Sequence, residues 1–94
     1  MYYSDEYCRR RMLGALVNIT PLRKRRIISW CKREAGSLVA HGDKVITALE
    51  SNLGSALILL VTFKANEMKR NDYLVYQPDE RREMYDRLRS WIQQ

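Results

Sequence analysis

Apolar residues recur along this chain at the three- and four-residue intervals of helices, and residues that start or stop helices fill the gaps. Cys8, Met12, Ala15, Leu16 and Ile19 make the first stripe. Ahead of it Ser4 reads as an N-cap, with Asp5 and Glu6 in the first turn, where the helix dipole favours acids. This helix is expected to end near residues 18–20. Thr20-Pro21 then opens a second one, because proline's missing N–H costs nothing at the first helical position. Its inner face is Ile27, Cys31, Ala35 and Leu38, widened by Ile28 and Trp30, with Gly36 marking either a close crossing or an early end.

The segment His41-Gly42-Asp43 ends that helix and starts another, with His41 as a C-terminal cap and Asp43 as the expected N-cap. Val45, Ile46, Leu49 and Leu53 give a short amphipathic helix closed by Gly54, after which Ser55 is placed to cap the next element. Residues 56–70 fit two patterns. A helix puts Leu57, Leu60, Val61, Ala65 and Met68 on one side, whereas a strand would be a buried run pairing with residues 73–76. Length and the Ala65/Met68 spacing favour the helix. Pro78, Asp79 and Glu80 begin the last helix, whose stripe is Met84, Tyr85, Leu88, Trp91 and Ile92, with Glu83 and Arg87 spaced for an outer ion pair. Trp30 and Trp91 both fall on stripes and are expected in the core. The fold class is therefore all-α, a single domain over residues 1–94 built from four to five short helices. An α+β variant, with a small hairpin from 56–65 and 72–77, stands in reserve.

Composition narrows the class further. Of the 94 residues 46% are hydrophobic and 30% charged, a globular balance, and four Gly with two Pro are too few turns for a β-sandwich. The apolar run 56–61 falls far short of the ~20 residues that cross a bilayer, and the N-terminus has no secretory pattern. A soluble, cytoplasmic protein with no membrane association is expected, its two cysteines, Cys8 and Cys31, reduced and buried.

Charge changes the picture most. Residues 1–34 carry nine basic side chains against three acidic ones, and residues 35–94 carry eight of each, so the whole net charge of +6 sits in the first two helices. Arg23, Lys24, Arg25 and Arg26 occupy the start of the second helix, where each cation is misplaced by ~0.3–1 kcal/mol. That placement makes sense if an anion docks there, its oxygens shared between free N–H groups and guanidinium forks. Replacing Arg23 and Lys24 by Glu would then be expected to raise stability while weakening the partner's binding.

The motifs of catalysis are missing: there is no phosphate-cradling glycine loop, no nucleophile elbow, and no metal-ligand spacing around the lone His41. A helix-turn-helix at Leu49, Leu53 and Gly54 fails, because Glu50 and Ser55 stand where small and apolar residues belong. Its recognition helix would be ALILLVT, which carries nothing to read a base edge. The expectation is a non-enzymatic accessory or regulatory protein with no cofactor and no metal, binding DNA or RNA through backbone phosphates. Arg23, Lys24, Arg25, Arg26, Lys32 and Arg33 are the main candidates, Arg9, Arg10 and Arg11 the secondary ones. Tyr2, Tyr3 and Tyr7 are possible stacking or interface residues. The alternative is an adaptor or inhibitor that docks the same basic face on an acidic protein surface.

Overall fold

The computed structural model describes residues 4–71 and 80–94, the side chains of 69–71 excepted. Among them are five helices: α1 (Asp5–Leu16), α2 (Pro21–Gly36), α3 (Gly42–Ser51), α4 (Leu53–Asn71) and α5 (Glu80–Gln93). No strand occurs among the described residues, as the all-α expectation requires. Residues 56–65 lie inside α4, which removes the hairpin variant; its other half, 72–77, falls outside the described residues, as do Pro78 and Asp79.

Ser4 caps α1 as expected: it is extended (φ −74°, ψ 162°) and its Oγ accepts the Tyr7 N–H at 3.1 Å, a contact worth ~1 kcal/mol. The helix stops at Leu16, earlier than its stripe suggested, with the Val17 N–H closing a tight turn on the Gly14 carbonyl. The reason lies ahead. Thr20 must be extended (φ −70°, ψ 152°) to cap α2, where its hydroxyl accepts the Arg23 N–H at 3.3 Å. Gly36 is the last residue of α2 and faces open space, so it marks an end and no close crossing.

The next two junctions differ from the sequence expectation. Between α2 and α3, His41 takes the N-cap position in the left-handed region (φ 68°), its ring stacked on Phe63 at 4.9 Å, while exposed Asp43 sits in the first turn. A Cβ on Gly42 would lie 2.4 Å from the Ala35 carbonyl oxygen, so only glycine lets the start of α3 approach the end of α2 this closely. Between α3 and α4 a single residue does all the work. Asn52 donates its N–H to the Ala48 carbonyl at 2.8 Å, closing α3, and its Oδ1 accepts the Ser55 N–H at 2.9 Å, capping α4. Ser55 is therefore capped rather than the cap. Gly54 lies buried in the first turn of α4, where a Cβ would meet Leu13 Cδ2 at 2.8 Å; its small size seats α1, and it terminates nothing.

Two pairings organise the helices. α3 folds back along α4, and the Glu67 carboxylate accepts the N–H groups of Val39 and Ala40 at the mouth of that hairpin. α1 lies along α5 in the same direction, since Asp5 at the start of one pairs with Arg81 at the start of the other at 3.0 Å. α2 touches α3, α4 and α5, but α1 and α2 are not packed on each other. The stripes meet in one core that includes Met12, Ile27, Cys31, Val45, Leu57, Leu60 and Ile92, each large side chain contributing ~1.5–3 kcal/mol by leaving water. Both cysteines are free and buried there. Burial, with Glu34 nearby, pushes the Cys31 thiol up to about 11; burial, then the Asp86 carboxylate, raises Cys8 as well. Ala56, Leu57, Leu60 and Val61 of the rejected recognition helix are all core residues.

Candidate functional site

The cations crowded at the start of α2 divide once the chain folds. Arg23 leaves the group: its Nη1 donates to the Trp91 carbonyl at 2.7 Å, in the last turn of α5, where the dipole of that helix favours a cation. It therefore ties α2 to α5 and is not aimed at an anion beyond its own helix. Lys24 is exposed and lines no hollow in this region.

The remaining four sort themselves by helical geometry. At about 100° per residue, Leu22, Arg25, Arg26, Ser29, Lys32 and Arg33 fall on the side opposite Ile27, Cys31 and Ala35, and all six are exposed. Arg25, Arg26 and Arg33 line one shallow, open hollow of about 350 Å³, together with Leu22, Ser29 and, across the seam, Trp91 of α5. None of Arg25, Arg26, Lys32 and Arg33 has an ion pair within 4 Å among the described residues, and no carboxylate borders the hollow. Leu22 is 55% exposed. Trp91 is only half-buried, as is Trp30. The two rings meet edge to face at 5.3 Å and 81°, so they form the α2–α5 seam rather than the core centre expected of them.

The α1 cations lead a different life. Arg10 pairs with Glu6 at 2.7 Å, Arg11 lies over the Tyr7 ring at 5.7 Å, and half-buried Arg9 lies near Tyr85, whose phenol burial pushes up against the opposing pull of that cation. None of them borders the α2 hollow. Tyr2 and Tyr3 lie outside the described residues. The structure thus brings together three of the six main candidates, sets Lys32 beside them, and separates the secondary set.

Sequence reasoning missed three members of this face. Leu22 and Ser29 were visible in principle, because residues 22, 25, 26, 29 and 33 follow the helical i, i+3, i+4 rhythm. Trp91 comes from a helix far along the chain, and nothing local to α2 signals it. A second hollow of about 380 Å³ opens on the other side of Trp91, floored by Trp30, Val61, Met84 and Leu88 and rimmed by the Lys64–Glu34 and Arg87–Glu83 pairs. Among the described residues no group of three or more His, Cys, Asp or Glu could hold a metal ion, and no helix is long and apolar enough to cross a membrane. Set against family models, curated proteins and solved structures, the chain matches none of them.

Proposed function

We propose that this protein is a non-enzymatic accessory factor that binds nucleic acid through backbone phosphates, using the outer face of α2. The observation that carries the reading is the division of labour among the cations. Arg10, Arg23, Lys64, Arg81 and Arg87 are engaged by carboxylates or a carbonyl. Arg25, Arg26, Lys32 and Arg33 stand side by side with no ion pair among the described residues. Like charges gathered without counter-charges destabilise the free protein slightly, and a polyanion relieves that repulsion. Arg26 and Arg33 stand two turns apart, about 10 Å along the helix axis, so the face meets successive phosphates rather than a single small anion.

Four phosphate contacts would give a slope of log K against log salt of about −3 to −4. Binding is measured across a salt series for the native chain and for Arg25→Gln/Arg26→Gln. Both side chains are exposed, with no ion pair among the described residues, so the double variant should fold normally while its slope falls by about two units. Affinity that ignores salt, or a double variant that binds as the native chain does, defeats the reading. One observation favours a second reading, docking on an acidic protein surface: Leu22 and Trp91 set an apolar patch among arginines, a combination enriched at protein interfaces. The nucleic-acid affinities decide between them, because a surface built for a folded acidic partner has no reason to prefer a flexible polyphosphate.

A further inference from the structure

We infer that the hollow beside Trp91 accepts an unstacked base, which makes single-stranded nucleic acid, not duplex, the preferred ligand. The inference rests on the nucleic-acid reading above and deepens it. A duplex presents phosphates to a basic helix and keeps its bases stacked inside. It would use Arg25, Arg26 and Arg33 and leave the apolar part of the hollow, Leu22 and Trp91, facing water in the complex as in the free protein. A single strand offers both chemistries at once: phosphates for the guanidinium groups and a base face for the apolar surface between them.

Three features of the hollow suit that ligand. The indole of Trp91 is held edge-on by Trp30, and its own carbonyl is held by Arg23, so its position is fixed before any ligand arrives. Immobilising nothing on binding is what makes an aromatic platform effective. The three arginines line the hollow itself, so a base seated on Leu22 and Trp91 has its flanking phosphates within reach of a cation. Ser29 is the one uncharged polar side chain in the lining, too little to read a base edge, so recognition is tolerant of sequence.

The test uses short oligothymidylate and a mixed-sequence duplex of equal length, each titrated against the native chain, against Leu22→Ala and against Trp30→Phe. In the last, Trp91 is the sole tryptophan. The single strand should bind roughly tenfold tighter than the duplex, and it alone should quench Trp91 emission. Leu22→Ala, an exposed change that leaves folding intact, should lower affinity for the single strand and leave the duplex unaffected, which keeps the test sound even if Trp30→Phe folds poorly. Equal affinity for both probes without quenching overturns this inference and leaves phosphate binding standing. Binding of neither probe, with polyglutamate captured instead, overturns both and points to an acidic protein partner.

Discussion

Arg23 stands in the position that sequence reasoning treated as an unfavourable cation, and the fold turns it into a clamp. Replacing it with Ala removes a charge-assisted hydrogen bond of 2.7 Å to the Trp91 carbonyl, part-buried between α2 and α5. Such bonds contribute ~1.5–3 kcal/mol, and the cation adds ~0.3–1 kcal/mol against the α5 dipole. Two effects reduce the loss. The Trp91 carbonyl keeps a second donor, the Gln94 N–H at 3.3 Å, so no buried acceptor is orphaned. Removing a cation from the start of α2 also returns ~0.3–1 kcal/mol. The two dipole effects nearly cancel and no orphan penalty is added, so the net expectation is a loss of about 1.5–3 kcal/mol, or roughly 6–24 °C in the melting temperature of a domain this size. Arg23→Glu should lose more, since a carboxylate would then face a carbonyl oxygen. Lys24→Glu, one residue on, exposed and with no ion pair among the described residues, should instead gain up to ~1 kcal/mol at low salt. Urea unfolding of the three variants at low and high salt measures all of this. An Arg23→Ala chain as stable as the native one would refute the clamp, and with it the reversal of sign between neighbouring cations.

Other perturbations read other parts of the framework. Gly42→Ala drives a methyl against the Ala35 backbone, which cannot move aside, and should cost at least ~1–3 kcal/mol in denaturant unfolding. Gly54→Ala, whose nearest obstacle is a mobile leucine side chain, should cost less. Glu67→Ala removes the acceptor of two N–H groups in the α2–α3 connection and should cost ~1–3 kcal/mol, visible also as faster amide exchange at Val39 and Ala40. The Cys31 thiol, held at about 11 against an ordinary 9.0, stays neutral in the fold where it would ionise when unfolded. Stability is therefore complete below pH 9 and declines as pH rises from 9 to 11, by up to ~1.4 kcal/mol per unit. Cys8 and Tyr85 act in the same direction, so Cys31→Ala should flatten that alkaline decline without abolishing it.

The elements that were legible in the sequence are those whose causes are local. Ser4 and Thr20 cap helices through bonds spanning three residues, and the stripe from Ile27 to Ala35 is a property of one helix. The junctions were misjudged where a tertiary contact decides. Gly54 resembles a helix terminator in sequence, but its smallness answers to Leu13 of another helix, and the break passes to Asn52. Gly42 likewise answers to the backbone of Ala35, and the left-handed turn falls at His41. The candidate site shows the same division. Charge asymmetry along the chain pointed to α2, and periodicity alone separates its outer row from its inner one. Which cation is taken up by the fold depended on a carbonyl supplied by Trp91, and no local pattern reveals that.

The parallel course of α1 and α5 has a consequence for the order of assembly. α1 is the earliest of the five helices and α5 the latest, so the most extensive partner of the first is the last to be synthesised. Until α5 arrives, the buried face of α1, with Cys8 and Met12, lacks its main cover, while α2, α3 and α4 are free to pack among near neighbours. Folding is therefore expected to start in the middle of the chain and finish by closing its two outer helices together. Contacts of high sequence separation set the pace of such a closure. A nascent chain halted before residue 80 would carry an uncovered apolar stripe, a surface that invites association with other chains or with chaperones.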